Sequence, residues 1–190
     1  AIQNITIKGP TGNMIYKSSP VCYPDTIQFS ASANNTTLYT WDFSDGNTVS
    51  TVKNKISYLY APGDYLPKLI LQDSLGCKVS IVGSDTVKIY DVKANANITG
   101  SISCDLTPVQ FTDLSTSEDN ITHHYWFFGY NDSTDQKSVS HIYKTPGVYN
   151  AYVITETETG CRDTFNVPAG VQILPKPEIN IAGDSSVCSM

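Results

Sequence analysis

The sequence predicts an all-β protein built from two β-sandwich repeats in tandem. Short segments in which apolar and polar residues alternate are separated by glycine, proline and aspartate, which is typical of half-buried strands and turns. No segment carries the apolar stripe of an amphipathic helix. The 190 residues provide for two domains of about 90 residues, near the usual size of a small sandwich.

Internal repetition is the strongest of these signals. Trp41 recurs as Trp126, and Cys77 recurs as Cys161 at nearly the same interval. A second series of cysteines is spaced by almost that interval as well: Cys22, Cys104 and Cys188. The chain therefore repeats one pattern in two successive halves.

Individual strands follow from period-two alternation between turn residues. The clearest strand patterns cover residues 26–31, 37–43, 64–71 and 148–155. Turns are expected at residues 45–46, 62–63 and 146–147, because glycine tolerates positive φ and proline presets a corner. About seven short strands in each repeat correspond to a β-sandwich.

The repeat boundaries follow from β-branched pairs at positions i and i+2. Three such pairs end at one fixed distance before a cysteine: Ile5/Ile7 before Cys22, Val87/Ile89 before Cys104, and Val171/Ile173 before Cys188. We take each pair as the final strand of a repeat. Complete domains are therefore predicted over 10–91 and 92–175. Residues 1–9 are expected to be the last strand of a preceding repeat, and 176–190 the start of a following one.

Composition limits the partners and the compartment. The 12 basic and 18 acidic residues give a net charge of −6, and Arg162 is the single arginine. We therefore expect no nucleic-acid partner, since binding to phosphates needs a basic surface. No run of 18 apolar residues occurs, so no membrane span is expected. Five cysteines at regular spacing indicate an oxidising compartment.

Four motifs occur in both repeats in the same order. Residues 39–46 (YTWDFSDG) correspond to 124–131 (HYWFFGYN), and each is followed by Tyr58 or His141, then by Pro-Gly-x-Tyr, then by Gly-Cys. This combination resembles PKD (polycystic kidney disease) domain repeats, of the cysteine-bearing type in the surface and gliding adhesins of Bacteroidota that are exported by type IX secretion. The resemblance implies tandem immunoglobulin-like β-sandwiches and an extracellular or cell-surface location.

Eight aromatic residues are expected to form the structural core. Alternation places two tryptophans on the same strand face as two phenylalanines, and burying such a face contributes several kcal/mol. Four tyrosines of the repeated motifs belong to the same framework. These residues are Trp41, Phe43, Tyr60, Tyr65, Trp126, Phe128, Tyr143 and Tyr149.

Two cysteine pairings remain open. Pairing within a repeat joins Cys22 to Cys77 and Cys104 to Cys161. However, the turns that carry Cys22 and Cys77 should lie at opposite ends of a sandwich, roughly 27–34 Å apart, whereas a disulfide tolerates less than about 7 Å between Cα atoms. We therefore favour an inter-domain disulfide between Cys22 and Cys161. Cys104 and Cys77 would then await following and preceding repeats.

No motif of catalysis, phosphate binding or dinucleotide binding occurs, so we expect no enzyme activity, no cofactor and no metal. His123 and His124 should point to opposite faces of a strand, and His141 matches the structural histidine of the family. Asp42 and Asp45 lie at a hairpin turn, where we expect them to accept hydrogen bonds from backbone amides.

Glycosylation is a further expectation from resemblance. Three triplets resemble the Asp-Ser/Thr-aliphatic O-glycosylation triplet of Bacteroidota. Their candidate hydroxyl groups are those of Thr26, Ser74 and Thr86.

The predicted function is that of a non-catalytic, extracellular repeat segment of a long cell-surface adhesin or filament. Short linkers and repetition favour a semi-rigid, force-bearing spacer, with an adhesive surface for gliding or surface attachment. Expected partners are neighbouring repeats of the same chain, with extracellular polysaccharide or other surface proteins as candidates. The alternative is an accessory PKD module of a secreted polysaccharide- or protein-degrading enzyme.

Overall fold

The protein is described by a computed structural model that covers residues 9–18, 20–104, 106–130 and 132–178. Within these ranges the chain consists of β-strands and turns without a helix, so the all-β prediction is confirmed. Apart from their innermost residues, the strand predicted at 1–9 and the repeat predicted to start at 176 lie outside the described ranges. Cys188 lies outside them as well.

By its contacts the chain divides into two compact units. The first consists of residues 1–92 together with 117–122 and 156–162, and the second consists of 93–116, 123–155 and 163–190. Two short segments of the second repeat therefore group with the first unit. The domain bounds 10–91 and 92–175 stay a prediction.

The described residues of the first repeat form ten strands, several of them short. In chain order they are β1 (Thr11–Tyr16), β2 (Val21–Cys22), β3 (Ile27–Asn34), β4 (Leu38–Asp42), β5 (Thr48–Thr51), β6 (Lys55–Tyr58), β7 (Gly63–Tyr65), β8 (Lys68–Gln72), β9 (Lys78–Val82) and β10 (Val87–Tyr90). They form ladders in the orders β1-β3-β6, β5-β4-β8-β9 and β2-β10-β7.

The core of the first repeat lies between these layers. Phe29 projects from β3 and contacts Trp41 of β4, with ring centroids 6.0 Å apart, and Phe43, at 5.6 Å. Leu69 and Leu71 of β8 are fully buried in the same cluster. Residues at i and i+2 on β3, β4 and β8 therefore supply the inward face of each strand, as the period-two pattern predicts.

The described residues of the second repeat form twelve strands and repeat this plan. They are β11 (Val92–Lys93), β12 (Ala96–Thr99), β13 (Ile102–Cys104), β14 (Val109–Asp113), β15 (Thr116–Ser117), β16 (Ile121–Phe127), β17 (Ser133–Asp135), β18 (Ser138–His141), β19 (Gly147–Tyr149), β20 (Tyr152–Thr157), β21 (Arg162–Asn166) and β22 (Val171–Leu174). The ladders are β12-β14-β18, β17-β16-β20-β21, β13-β22-β19 and β11-β15.

Packing in the second core matches the first. Phe111 of β14 contacts Trp126 at 5.3 Å and Phe128 at 5.1 Å between ring centroids, and Val153 of β20 is fully buried beside them. Two mainly antiparallel layers around a single apolar core are the architecture of an immunoglobulin-like sandwich. The prediction of two such sandwiches in tandem is confirmed.

Two predicted strands are each split in the structure. The strand predicted at 64–71 is interrupted at Leu66–Pro67, because proline has no N–H to donate, and the Pro67 carbonyl accepts from the Gly83 amide instead. As a result β7 pairs with β10, whereas β8 pairs with β4 and β9. The strand predicted at 148–155 is likewise interrupted at residues 150–151. These two single-strand predictions are wrong.

Candidate functional site

In each repeat a short strand near the start lies beside the last strand and runs in the same direction. In the first repeat β2 pairs with β10 in parallel, with Val21 opposite Ile89 and Cys22 opposite Tyr90. The Tyr23 amide extends the ladder with a bond to the Tyr90 carbonyl of 2.8 Å. The last strand of this repeat is thus hydrogen-bonded to an early strand, whereas the first strand, β1, pairs antiparallel with β3.

The second repeat has the same arrangement over a longer stretch. Its third strand, β13, pairs in parallel with its last strand, β22, and Cys104 lies opposite Leu174. The Gln172 amide donates to the Ser101 carbonyl at 2.7 Å. On its other side β22 pairs antiparallel with β19, so the terminal strands are held within a sheet.

A disulfide joins Cys22 to Cys161, with 5.4 Å between their Cα atoms. Of the two pairings left open by the sequence, the structure therefore contains the one between repeats. Cys161 lies in a turn in which the Thr157 amide donates to the Cys161 carbonyl at 2.9 Å, and its side chain is only 2% exposed. Both cysteines belong to the first contact-defined unit.

Cys77 and Cys104 are free and exposed. Each occupies the position in its repeat that a bonded cysteine occupies in the other repeat. The pairings Cys22–Cys77 and Cys104–Cys161 are absent from the structure.

The eight predicted core aromatics fall into two groups. Six are buried: Trp41, Phe43, Tyr60, Trp126, Phe128 and Tyr143. The other two, Tyr65 and Tyr149, pack against the cores while remaining partly exposed. Burial raises the pKa of the Tyr60 and Tyr143 phenols well above the ordinary value. Their hydroxyls therefore stay protonated.

The two tryptophans differ in their polar contacts. The Trp126 Nε1–H donates to the Gln136 carbonyl at 2.9 Å. Trp41 Nε1 has no hydrogen-bond partner among the described residues. Both indoles are buried, which leaves them no open face for stacking on a sugar ring.

The paired carboxylates of the first hairpin are engaged in turn hydrogen bonds. The Ser44 amide donates to Asp42 Oδ1 at 2.9 Å, and the Asn47 amide donates to Asp45 Oδ1 at 2.9 Å. Desolvation acts to raise the pKa of Asp45, but hydrogen bonds from Tyr58 and Asn47 outweigh it and lower that pKa. Asp42 and Asp45 are therefore capping groups rather than a general acid and base.

Each histidine has a structural partner. His123 Nδ1 lies 2.6 Å from Asp135 Oδ2. The pKa of Asp135 is lowered, chiefly by a hydrogen bond from the His124 amide and then by one with the His123 ring. Burial lowers the pKa of His141. No group of three or more His, Cys, Asp or Glu side chains in the described part of the chain is arranged to hold a metal ion.

A buried polar network in the second repeat is not anticipated by the sequence analysis. Asp113 is 1% exposed and accepts hydrogen bonds from the Ser115 amide at 2.7 Å, from the Ser115 hydroxyl and from His124 Nδ1. Thr155 Oγ1 contacts the same carboxylate at 3.4 Å. Aligning the repeats would have shown that Asp113 falls at a core position of a strand, although not that it meets His124.

The three candidate glycosylation hydroxyls, those of Thr26, Ser74 and Thr86, belong to exposed residues. Asp73, which precedes Ser74, is buried and accepts from the Leu75 and Cys77 amides at 2.9 Å. Ser74 therefore lies at the tip of a well-ordered turn. Among the described residues there is no helix long and apolar enough to cross a membrane.

The described residues thus form two β-sandwich repeats in tandem, each with an early strand paired in parallel with its last strand. The model of the PKD domain matches residues 8–89 and again 93–172. The chain belongs to the PKD domain family. No curated protein matches it.

The solved structures that are similar to this chain have low sequence identity to it. The three N-terminal domains of the outer capsid protein Hoc of bacteriophage RB49 are 18% identical, with a TM-score of 0.35, over 87% of this chain and 59% of that one. The titin I-band fragment I67–I69 is 9% identical, with a TM-score of 0.48, over 90% of this chain and 67% of that one. SGBP-B of Bacteroides ovatus, in complex with a mixed-linkage heptasaccharide, is 14% identical, with a TM-score of 0.37, over 88% of this chain and 48% of that one.

Proposed function

We propose that this chain is a non-catalytic segment of a long extracellular, cell-surface adhesin or filament, in which the PKD repeats act as a semi-rigid, force-bearing spacer. The observation that carries the proposal is the parallel pairing of an early strand with the last strand of each repeat, β2 with β10 and β13 with β22. A force that pulls these two strands apart along their length acts on all the hydrogen bonds between them.

The mechanical argument concerns how hydrogen bonds share a load. When parallel strands are pulled from opposite ends, the bonds between them are sheared together. When a hairpin is pulled from its open end, its bonds break one at a time. The three pairs from Ile102–Gln172 to Cys104–Leu174 therefore resist as a group.

The Cys22–Cys161 disulfide supports the same role. A disulfide persists in oxidising, extracellular surroundings, and this one ties the Val21–Cys22 strand to the turn at 157–161. It restricts the freedom of that turn within the first unit. A stiff spacer holds whatever it carries at a fixed distance from the cell surface, which is the role proposed for these repeats.

The finer assignment is to the surface and gliding adhesins of Bacteroidota that leave the cell by type IX secretion. It is supported by the cysteine-bearing form of the repeats. The alternative is an accessory PKD module beside the catalytic domain of a secreted polysaccharide- or protein-degrading enzyme. A full-length protein with many such repeats favours the adhesin, and one with a catalytic motif beside one or two repeats favours the enzyme.

Single-molecule stretching in a reducing buffer tests load bearing. We expect a repeat pulled from its terminal strands to unfold at several times the force needed when handles at Lys68 and Val82, which face each other across β8 and β9, peel the hairpin apart. The two experiments use the same folded protein, so equilibrium stability is their shared control. Equal forces in the two directions would reject the spacer function.

A second candidate function is contact with a polysaccharide on the second repeat. Phe127 and Tyr152 stack with ring centroids 4.6 Å apart in an open groove of about 530 Å³. Tyr130, 48% exposed, lines the same groove with Asp132 and Asn150. Aromatic faces beside carboxylate and amide groups are suited to the apolar face and hydroxyls of a sugar ring.

The first repeat provides an internal comparison for this groove. The positions of Phe127 and Tyr152 are taken there by Asp42 and Lys68, which lie opposite each other on β4 and β8. The same fold therefore forms without aromatic residues at these two positions, and their presence in the second repeat is not required by packing alone.

Calorimetric titration with soluble oligosaccharides of β-linked glucose or N-acetylglucosamine tests this contact. Replacing either ring with its counterpart from the first repeat, F127D or Y152K, should weaken binding about tenfold. Y23K, at an exposed tyrosine of the first unit, is the matched control and should not alter binding. Binding that survives F127D and Y152K would exclude this groove.

A further inference from the structure

Cys77 and Cys104 are exposed and unpaired, and we infer that they are the two halves of an intermolecular disulfide of the Cys22–Cys161 kind. Where no neighbouring repeat of the same chain supplies the partner cysteine, the partner is a second copy of this chain. The bond joins Cys104 of one copy to Cys77 of the next.

The surroundings of Cys104 repeat those of Cys22. Each is the last residue of a short strand that pairs in parallel with the final strand of its repeat, Cys22 opposite Tyr90 and Cys104 opposite Leu174. Each carbonyl then accepts from the amide three residues ahead, at 2.8 Å for Cys22 and 3.2 Å for Cys104. The backbone therefore presents the two sulfur atoms in the same way.

The surroundings of Cys77 repeat those of Cys161 as closely. The Cys77 amide donates to Asp73 Oδ1 at 2.9 Å, and the Cys161 amide donates to Thr157 Oγ1 at 3.1 Å. In both turns the residue four before the cysteine donates its amide to the cysteine carbonyl, at 3.1 Å and 2.9 Å respectively. The glycine before each cysteine has a positive φ, 86° and 87°.

Exposed apolar side chains accompany both free cysteines. Ile102 and Leu106 flank Cys104 and are 65% and 61% exposed. Leu75, two residues before Cys77, is 85% exposed. In the bonded turn the position of Leu75 is taken by Thr159, whose hydroxyl donates to Asp119 Oδ2 at 2.5 Å. Large apolar groups left in water at both free cysteines indicate surfaces that are covered in an assembly.

The bonded pair also fixes the direction of assembly. It joins a strand cysteine to a turn cysteine, so the equivalent contact between copies is heterologous and leaves one strand cysteine and one turn cysteine unpaired in each dimer. Head-to-tail chains follow from this rule. The symmetric products, Cys104 with Cys104 and Cys77 with Cys77, do not.

Glutathione disulfide can supply the oxidation. The Cys104 thiolate attacks one of its sulfur atoms and releases a glutathione thiolate, and the Cys77 thiolate of the second copy then displaces the remaining glutathione. One sulfur–sulfur bond breaks and one forms. The two protons lost by the cysteines are taken up by the two molecules of glutathione released.

The test uses the whole chain with Cys188→Ser, which leaves Cys77 and Cys104 as the free thiols. Oxidation in a glutathione buffer is followed by non-reducing electrophoresis and by mass spectrometry of tryptic peptides. Trypsin places each cysteine on its own peptide, because a lysine or arginine lies between each successive pair. We expect a ladder of oligomers in which the Cys104–Cys77 peptide greatly exceeds both symmetric products.

Two further variants test the pairing rule, which is that a strand cysteine such as Cys104 pairs only with a turn cysteine such as Cys77. C77S carries only the strand thiol and C104S carries only the turn thiol, and each should stay monomeric alone. An equal mixture should yield one disulfide-linked dimer. A cross-linked peptide only about twice as abundant as each symmetric product is the outcome of random collision and would overturn the inference. So would a Cys22–Cys77 or Cys104–Cys161 peptide as the main product.

This inference does not depend on load bearing. Low unfolding forces would reject the spacer function and leave the pairing rule intact. Symmetric dimers would reject the pairing rule and leave the spacer function standing.

Discussion

The ring of His141 stacks on the ring of Phe128, with centroids 4.1 Å apart and planes inclined by 5°. In the first repeat Tyr58 stacks on Phe43 at 3.6 Å and 8°. One position in the sandwich therefore accepts two chemically different rings, because stacking on phenylalanine requires only a flat π-system. The difference lies in how the two rings respond to pH.

We predict that the second unit loses stability as pH falls through the histidine range. Burial lowers the pKa of His141 below its usual value of 6.5, and the nearby Asp132 carboxylate offsets only part of this effect. The unfolded chain then binds a proton that the folded chain does not. Stability from this group is fully present above about pH 7.5 and declines as pH falls below about 6.5. Urea unfolding across that range measures the slope.

H141Y, which copies the first repeat, is the control for the other titrating groups. The difference in slope between wild type and H141Y isolates His141, since His123 and His124 are present in both proteins. We expect the wild type to show the steeper decline on acidification. Equal slopes would mean that His141 binds its proton as readily when folded as when unfolded.

A second prediction concerns the buried pair formed by Asp113 and His124. The corresponding residues of the first repeat are Ala31 and Tyr39, both buried and apolar. D113A should destabilise the second unit by about 3 kcal/mol, because it leaves the buried imidazole and hydroxyl groups without their acceptor. The free energy of urea unfolding provides the measurement.

The double variant D113A/H124Y restores the combination found in the first repeat. We expect it to recover at least about half of the loss, which corresponds to a favourable coupling of roughly 1–2 kcal/mol in a double-mutant cycle. Strictly additive effects would indicate that Asp113 and His124 do not act as a pair.

A third prediction compares the two tryptophans. W126F removes the bond to the Gln136 carbonyl and leaves that carbonyl without a partner, whereas W41F removes an N–H that has no partner among the described residues. The two substitutions delete the same volume from equivalent core positions. W126F should therefore cost about 1 kcal/mol more than W41F. Equal costs would show that the Gln136 bond contributes nothing.

Most of the fold follows from the sequence because the two-residue alternation of apolar side chains and the motifs shared by the repeats are local properties of the chain. Trp41 and Phe43 lie on one face of β4, as two-residue alternation requires. Pairing choices within a sheet are less accessible, as the split at Pro67 demonstrates. On the two sides of Pro67, β7 pairs with β10 and β8 pairs with β4. The choice depends on which strand lies nearby in the folded protein, and the alternation of apolar and polar residues does not encode it.

The polar network around Asp113 and the groove at Phe127 are harder to predict for a different reason. Each arises where the two repeats differ in sequence. Asp113 stands where the first repeat has Ala31, and Phe127 stands where it has Asp42. A repeat-against-repeat comparison detects such positions. It does not reveal that the side chains of Asp113 and His124 meet across the sandwich, since this depends on the register of β14 against its neighbours.

The last prediction concerns the path of force through the Cys22–Cys161 disulfide. The bond closes a loop with a sequence separation of 139 residues. When the oxidised chain is pulled from its ends, tension passes through the sulfur atoms, and the enclosed residues cannot extend even after they unfold. Since an extended residue spans about 3.3–3.6 Å, the fully stretched oxidised chain should be shorter than the reduced chain by roughly 450–500 Å.

Single-molecule length measurements before and after addition of a reductant test this directly. C22S/C161S should have the long contour length in both buffers, and C77S/C104S should behave as the wild type. The within-repeat disulfides Cys22–Cys77 and Cys104–Cys161 would together hide most of the same length, so C77S/C104S decides between the pairings: loss of the length change in that variant would reject the Cys22–Cys161 pairing. The oxidised array would then extend by unfolding rather than resist through covalent bonds.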